Sequence, residues 1–439
     1  MKCCFYTFGC KVNTCETEGM KSLMQRHGYE TSDTPSDADI AVINSCTVTA
    51  SGDKRVINAM KQLRKHNPDI VIVLTGCYPQ AFPDEAASIK NADIITGTKD
   101  RSRIPFLIED FLRLRQRICT VSEYGKQDGF ECLDWKSSSE NTRAFLKIQD
   151  GCNAFCSYCI IPYARGRCRS MPLDKLREQA MGLVLSGHRE IVLCGINLAF
   201  YGQEYGLTLL DAVKACQEAG AERIRLGSLE PERMTEELLA GLSSIPEFCP
   251  QFHLSLQSGS DTVLRRMNRR YTAKEYEDIC ALVRKYFPMC AITTDIMTGF
   301  PQETDEEFSE TLSFAEKIGF AKIHVFRYSV RPGTKAAEMS GQVPENKKTD
   351  RADKLQRLSE SMQLRHNKSL ENRVIPVLFE REKGDGYHAG HAPDGTVIKI
   401  PEKNIKKSLR KSIFYVRIEE SDAACCYGVI DGGSSANPL

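Results

Sequence analysis

Short apolar runs alternate with helical stretches along the first 120 residues. The runs have the length of buried parallel strands, and the segments between them carry apolar residues at helical spacing. This alternation predicts a small α/β sandwich built on a parallel sheet. The predicted strands are Cys3–Phe8, Ile40–Ile43, Ile70–Leu74 and Ile94–Ile95, and the predicted helices are Glu16–His27, Lys54–His66 and Ile104–Arg115.

A polar stretch with glycines and a serine run then interrupts the pattern and indicates a linker. It contains the single tryptophan, Trp135, which we expect to dock the linker on a neighbouring domain.

From Arg143 to about Ser361 the alternation resumes and predicts six strand-helix units, a partial or full parallel (βα)6 barrel. In such barrels the chemistry lies at the carboxyl ends of the strands. The predicted strands are Ala144–Ile148, Glu190–Gly195, Arg223–Leu226, Gln251–Leu256, Ala291–Met297 and Lys322–Tyr328.

After a charged helix near Lys347–Ser369, the chain changes to Val, Ile, Phe and Tyr runs separated by Gly and Asp turns. That pattern predicts a small antiparallel β-barrel. The fold class is therefore α/β multidomain. The predicted parts are residues 1–120 for the sandwich, 121–142 for the linker, 143–368 for the central barrel and 369–435 for the C-terminal barrel.

The composition, with 41% hydrophobic and 27% charged residues, is that of an ordinary globular protein and excludes a fibrous or wholly disordered chain. The apolar runs are too short to cross a membrane, so we expect a cytoplasmic protein. The net charge of +1 conceals a basic segment at Lys399–Arg417, which has seven Lys or Arg and one acid, Glu402. Such a segment is either a solvated face or a site for phosphates.

The chain has 19 cysteines, which in a reducing compartment serve for packing, metal binding or redox chemistry. Cys152, Cys156 and Cys159, the central trio, form C-x3-C-x2-C directly after the first barrel strand. Three thiolates hold three irons of a [4Fe-4S] cube and leave the fourth iron open. A zinc site would need a fourth ligand, and the nearest candidate, Cys168, has a spacing that matches no common zinc module.

A second set, the N-terminal trio, consists of Cys10, Cys46 and Cys77, each of which follows one of the first three predicted strands. Parallel strands place their carboxyl ends at one edge of the sheet, so the three sulfurs are expected to converge on a second cluster. Gly9 and Gly76 would let that cluster approach the backbone. The alternative is three buried thiols without a common role.

The central loop resembles that of the radical S-adenosylmethionine (SAM) superfamily. The resemblance implies that the open iron binds SAM, whose one-electron cleavage gives a 5'-deoxyadenosyl radical that abstracts hydrogen from the substrate. It also places cofactor contacts near the strand ends, although a capping or turn role is equally open for each residue alone. These residues are Tyr158, Gly195, Asn197, Ser228, Glu230, Gln257 and Asp295.

The two trios followed by a β-barrel are similar along nearly the whole chain to the methylthiotransferase family. The family implies two [4Fe-4S] clusters, the second presenting sulfur to a substrate radical, and a second SAM that methylates this sulfur. It also implies an electron donor of flavodoxin or ferredoxin type and a tRNA anticodon stem-loop as partner. The C-terminal barrel resembles the RNA-binding TRAM module, whose phosphate contacts would come from Lys403, Lys406, Lys407, Arg410 and Lys411.

Gly9–Asn13, Asn44–Thr49, Pro162–Arg167 and Tyr328–Thr334 look most like the threonylcarbamoyladenosine branch. The implied reaction is methylthiolation at C2 of N6-threonylcarbamoyladenosine 37 of tRNA. The departures from the branch pattern are Cys15, Ser45 and Gln302, and none of them is a trio cysteine.

Arg165 and Arg167 are candidates to bind the threonine carboxylate, with helix-start or phosphate pairing equally open. The substrate alternatives are isopentenyladenosine 37 and an aspartate of a ribosomal protein. Two further alternatives are a radical enzyme whose second cluster only relays electrons and a non-enzymatic RNA-binding protein stabilised by metal.

Overall fold

The computed structural model describes residues 1–125, 128–133, 142–380, 386–405 and 408–435. Trp135, Lys406 and Lys407, which the sequence singled out, lie outside the described residues.

The N-terminal part is a six-stranded parallel sheet in the order β2-β1-β3-β4-β5-β6, with helices on both faces. Its central strands are buried on both sides, with Ile43 and Leu74 in one core and Val42 and Val73 in the other. This confirms the predicted α/β sandwich. The strands are β1 Lys2–Thr7, β2 Glu30–Thr31, β3 Ile40–Ser45, β4 Val71–Gly76, β5 Ile94–Thr96 and β6 Ile118–Thr120, and the helices are α1 Lys11–Arg26, α2 Ala50–His66, α3 Cys77–Ala81, α4 Pro83–Ala87 and α5 Ile104–Leu114.

The central part has two parallel sheets, β11-β10-β7 and β12-β13-β14-β15, in which β11 and β12 are separated by Gly227 alone. Together they form a partial barrel, one of the two forms predicted, and β8 and β9 pair as a small antiparallel ribbon. The strands are β7 Arg143–Lys147, β8 Gln149–Asp150, β9 Arg169–Ser170, β10 Glu190–Cys194, β11 Arg223–Leu226, β12 Ser228–Leu229, β13 Gln251–Leu254, β14 Ala291–Thr298 and β15 Lys322–Arg327. The helices are α6 Ile161–Arg165, α7 Leu173–Leu185, α8 Leu209–Glu218, α9 Glu236–Ser243, α10 Asp261–Arg266, α11 Ala273–Tyr286, α12 Asp305–Ile318, α13 Lys335–Glu338 and α14 Glu345–Lys368.

The C-terminal part is a closed five-stranded barrel in the order β16-β17-β18-β20-β19. The predicted antiparallel barrel is confirmed, with one parallel pair, β18 with β20. An odd number of strands cannot alternate in direction around a closed ring, so one pair has to be parallel. The strands are β16 Val374–Phe379, β17 Tyr387–His391, β18 Val397–Pro401, β19 Ile413–Ser421 and β20 Cys426–Ser435.

Buried contacts join the C-terminal barrel to the central one. Arg223 donates through its two Nη atoms to the carbonyl oxygens of His391 and Ala392, at 3.0 and 2.9 Å. Arg225 donates to the carbonyl oxygen of Pro393 at 2.9 Å. Both arginines also pair with Glu190 of β10. The turn between β17 and β18 is therefore fixed to the amino ends of the central strands.

The described part of the predicted linker packs between the N-terminal and central parts. Tyr124 Oη lies 2.9 Å from Thr98 Oγ1, and its ring stacks under the guanidinium of Arg169. Lys99 forms an ion pair with Asp128 at 2.9 Å. Each sheet falls within one of the predicted domains, whose exact bounds stay a prediction.

Candidate active site

The N-terminal trio lies at the carboxyl edge of the first sheet. Cys46 and Cys77 directly follow β3 and β4, while Cys10 precedes α1. At Gly9, whose φ is +116°, a Cβ would lie 3.0 Å from Cys46 Sγ, so the loop after β1 runs directly against this cysteine. Each thiol of the trio acts electrostatically on another of the three. The structure therefore brings together the three cysteines that the sequence placed at equivalent strand ends.

A buried arginine contacts this trio from the central part of the chain. Arg165, the last residue of α6, is fully buried, and its Nε donates to Cys77 Sγ at 3.3 Å. Its Nη atoms bind both carboxylate oxygens of Glu16. Because these contacts occupy the guanidinium, this position does not support the prediction that Arg165 binds a substrate carboxylate. Arg167 is exposed.

Arg165 belongs to a buried network of charges. Glu16 also pairs with Arg101 at 2.9 Å and with Lys147 at 2.7 Å, and Lys147 pairs with Asp150 at 2.6 Å. Burial raises the pKa of Glu16, but the surrounding cations outweigh it and lower that pKa to about 2. Glu16 is thus ionised at neutral pH and ties α1 to β7 and α6.

The central trio lies on the loop between β8 and α6. Gly151, whose φ is +71°, starts this loop so close to the carbonyl oxygen of Arg167 that a Cβ would lie 1.9 Å from it. Arg269 Nη1 donates to Cys156 Sγ at 3.3 Å, and the same guanidinium pairs with Glu230. Asn197 Nδ2 lies 3.5 Å from Cys152 Sγ. Each trio therefore has one arginine directed at one of its sulfurs.

The donor set fits a cluster better than a single ion. Among the described residues, no three His, Cys, Asp or Glu side chains lie close enough to bind one metal ion together. In a [4Fe-4S] cube each thiolate binds a different iron, which requires wider spacing. Burial raises the pKa of the Cys46 thiol to about 11 and raises those of Cys77, Cys152 and Cys159. Binding of a cluster by these thiols would therefore release protons from them.

Several of the predicted cofactor contacts surround the central trio. Asn197 is buried, and its Oδ1 has no partner among the described residues, which leaves an acceptor suited to an ammonium group beside Cys152. Gly195 lies so close to Gln149 that a Cβ would be 2.8 Å from the glutamine Cβ. Glu230 and Cys156 line a small cavity of about 20 Å³. Ser228 is exposed.

A larger chamber of about 170 Å³ lies between the N-terminal and central parts. Its walls come from the segment just after Cys46, from the central loop and from the carboxyl ends of the barrel strands. Tyr158, Gln257 and Asp295, all predicted from the sequence, border it. The full lining is Val48, Thr49, Tyr158, Cys159, Ile160, Ile161, Gln257, Asp295, Met297, Phe326, Arg327, Tyr328 and Ser329. The chamber therefore has Cys159 of the central trio on one side and the segment that follows Cys46 of the N-terminal trio on the other.

Sequence reasoning missed Arg269, Glu16 and Lys147 as site residues. Arg269 lies just after α10, 113 residues from the cysteine it contacts, and no spacing rule connects the two. One feature of the sequence could have indicated Glu16 and Lys147. Each is a charged residue within a segment that is otherwise packed against the core.

Models of two protein families match the chain. The Radical SAM superfamily matches residues 146–315, and a family described as uncharacterized, UPF0004, matches residues 2–97. The threonylcarbamoyladenosine tRNA methylthiotransferase MtaB of Bacillus subtilis is 41% identical over 86% of this chain and 84% of the relative. The chain belongs to the MtaB branch of the radical SAM methylthiotransferases.

Further relatives come from this branch and from its sister branch. The MtaB of Aquifex aeolicus is 36% identical over 91% of this chain and its own full length. The tRNA-2-methylthio-N(6)-dimethylallyladenosine synthase of Pelotomaculum thermopropionicum, from the sister branch, is 34% identical over 86% of each chain. The methylthiotransferase family and its threonylcarbamoyladenosine branch, which the motifs indicated, are therefore confirmed.

A solved structure supports the fold of this methylthiotransferase. The radical SAM methyltransferase TsrM from Kitasatospora setae superposes with a TM-score of 0.56 at 11% identity, covering 76% of this chain and 77% of its own. In the part of the chain that the structure describes, no helix has the length and apolar character needed to cross a bilayer.

Proposed function

We propose that this enzyme inserts sulfur at C2 of N6-threonylcarbamoyladenosine 37 of tRNA and methylates that sulfur. The observation that carries the proposal is the chamber, which lies between Cys159 of the central trio and the segment following Cys46. The MtaB relatives, at 36–41% identity over most of the chain, support the threonylcarbamoyl substrate.

We further propose two [4Fe-4S] clusters, one held by Cys152, Cys156 and Cys159 and the other by Cys10, Cys46 and Cys77. When bound, the clusters and two SAM molecules per product supply the radical, the sulfur and the methyl group. The chain binds and orients them. Asn197 Oδ1 offers an acceptor to the ammonium group of SAM, and Arg269 holds Glu230 beside Cys156.

The chamber wall is mainly apolar and also includes polar residues. Thr49, Gln257, Asp295, Arg327 and Ser329 present hydroxyl, amide and charged groups to it. A threonylcarbamoyl group offers a carboxylate, a hydroxyl and a urea to such groups, whereas an isopentenyl group is apolar. The proposal of the threonylcarbamoyl substrate over the isopentenyl alternative therefore rests on the MtaB relatives.

The RNA partner is proposed to be the anticodon stem-loop of tRNA, bound in part through the C-terminal barrel. Lys403 is exposed, and Arg410 and Lys411 are half-buried on the same barrel. Positive side chains on this barrel would neutralise RNA phosphates without reading the base sequence. The proposal also includes reduction of the clusters by a flavodoxin or ferredoxin type donor, in the cytoplasm.

Mass spectrometry of tRNA nucleosides tests the substrate. Cells that lack the protein should lose 2-methylthio-N6-threonylcarbamoyladenosine, and wild type or Cys119→Ala should restore it, because Cys119 is exposed and belongs to neither trio. Cys156→Ala should not restore it, although its affinity for tRNA stays near wild type. Loss of the methylthio form of isopentenyladenosine instead would contradict the proposal in favour of the sister branch.

Iron analysis tests the cluster count. Anaerobically reconstituted wild type should contain about eight irons per chain, and Cys46→Ala about four. A wild-type protein with about four irons per chain would contradict the two-cluster proposal.

A further inference from the structure

Among the described contacts, no Lys or Arg from the N-terminal part of the chain donates to a sulfur of the N-terminal trio. The contacting cation, Arg165, comes from α6, which begins two residues after Cys159 of the central trio. Residues 160–165 thus connect a ligand of one proposed cluster to a hydrogen-bond donor of the other.

The contact is held firmly from both sides. The α6 end is anchored to the N-terminal part by Thr98, whose Oγ1 donates to the carbonyl oxygen of Ala164 at 2.6 Å. Arg165 Nη2 donates to Glu16 Oε2 at 3.0 Å, and Glu16 lies on the same helix as Asn13, which accepts from Cys10 Sγ at 3.3 Å. With the side chain fully buried, water cannot replace or screen the Nε–H to sulfur contact.

We propose that Arg165 is a positioning residue that sets the reduction potential of the cluster held by Cys10, Cys46 and Cys77. Hydrogen bonds to the sulfurs and nearby positive charge stabilise the more negative, reduced state of an iron-sulfur cluster and so raise its potential. The inference rests on the proposed function, because it requires the second cluster.

The two arginines give a paired test. Arg269 Nη1 donates to Cys156 Sγ, and Arg165 Nε donates to Cys77 Sγ, with a nitrogen–sulfur distance of 3.3 Å in each case. Arg165→Gln should lower the midpoint potential of the N-terminal cluster and leave that of the central cluster unchanged. Arg269→Gln should lower the midpoint potential of the central cluster and leave that of the N-terminal cluster unchanged. Arg64→Gln is the control: Arg64 lies in the N-terminal part and binds Asp93 and the carbonyl of Ile70, away from both trios.

The measurement is a redox titration followed by electron paramagnetic resonance on reconstituted full-length protein. We expect Arg165→Gln to lower the reduction equilibrium constant of the N-terminal cluster by about tenfold, which is about 59 mV for a one-electron couple. Arg165→Lys keeps the charge that Glu16 and Asp150 require but not the Nε donor, so it should fold and show a smaller shift in the same direction.

The outcomes separate the two proposals. Wild type with a single cluster would refute the proposed function itself. Two clusters in wild type, with an N-terminal potential unchanged in Arg165→Lys and in any folded Arg165→Gln, would overturn the role of Arg165 alone. If Arg165→Gln does not fold, the result for Arg165→Lys decides.

Discussion

Arg331 Nη2 lies 2.7 Å from Asp53 Oδ2, joining the loop after β15 to the first turn of α2. The same atom donates to Thr47 Oγ1 at 2.7 Å, and the guanidinium stacks on Phe82. Thr47 lies between Cys46 and the chamber wall at Val48, so this contact holds that wall against the end of the central barrel.

Removing one partner of this pair should destabilise the protein. Asp53→Asn leaves the Arg331 cation, 4% exposed, without its carboxylate, which costs about 3 kcal/mol in the free energy of unfolding. Urea denaturation measures the loss. Asp110→Asn is the control, because Asp110 pairs with Arg113 on the surface and its loss should cost under about 1 kcal/mol. Equal losses of unfolding free energy in the two variants would show that the buried pair contributes no more than the surface pair.

Stability should fall in acid because of Glu190. Burial raises the pKa of this carboxyl, but Arg225 and Arg223 outweigh it and lower the pKa to about 2. A folded pKa below the unfolded one gives stability that is present above about pH 4.5 and disappears as the pH falls to about 2, up to about 3 kcal/mol. Denaturation between pH 5 and pH 2 should be less pH-dependent in Glu190→Gln, and an unchanged slope would contradict the assignment.

The central loop should not tolerate a side chain at Gly151. A Cβ there would lie 1.9 Å from the carbonyl oxygen of Arg167, which is backbone and cannot move aside alone. Gly151→Ala should therefore lose about half of the iron of the reconstituted protein. Gly187→Ala is matched to it, since Gly187 also has positive φ, +82°, but nothing lies within 4 Å of its Cβ position. Iron loss in both variants would point to backbone strain instead of the clash.

RNA affinity should depend on salt through the C-terminal barrel. Lys403→Ala and Arg410→Ala should each weaken tRNA binding and reduce the slope of log affinity against log salt by about 1. Lys274→Ala, which removes an exposed lysine paired with Asp278 on α11, should change neither quantity. Filter binding at several salt concentrations measures both, and slopes equal to wild type would remove these residues from the interface.

The strands and the two trios were predictable because both depend on local pattern. Buried runs such as Ile40–Ser45 and Val71–Gly76 are apolar along most of their length, and Cys46 and Cys77 follow their ends immediately. Parallel pairing then brings those ends together without further information. The motifs that resemble the family also predicted the threonylcarbamoyladenosine branch, which the relatives confirm.

The electrostatic surroundings of the trios were not predictable in this way. Arg165 contacts Cys77 across 88 residues of sequence and Glu16 across 149, and such contacts depend on how two separate sheets dock. The five-residue helix α6, which carries Arg165, is too short to show a helical period. The sequence therefore singled out Arg165 as a candidate for a substrate carboxylate, a phosphate or the start of a helix, whereas the structure shows it donating to Cys77 Sγ.

The arginine contacts from β11 to the turn between β17 and β18 fix the C-terminal barrel to the amino ends of the central strands, while the chamber opens near their carboxyl ends. The central strands therefore separate the C-terminal barrel from the chamber. If the barrel binds RNA as we propose, this separation would select a nucleotide by its distance along the folded RNA from the bound phosphates, before any base edge is read.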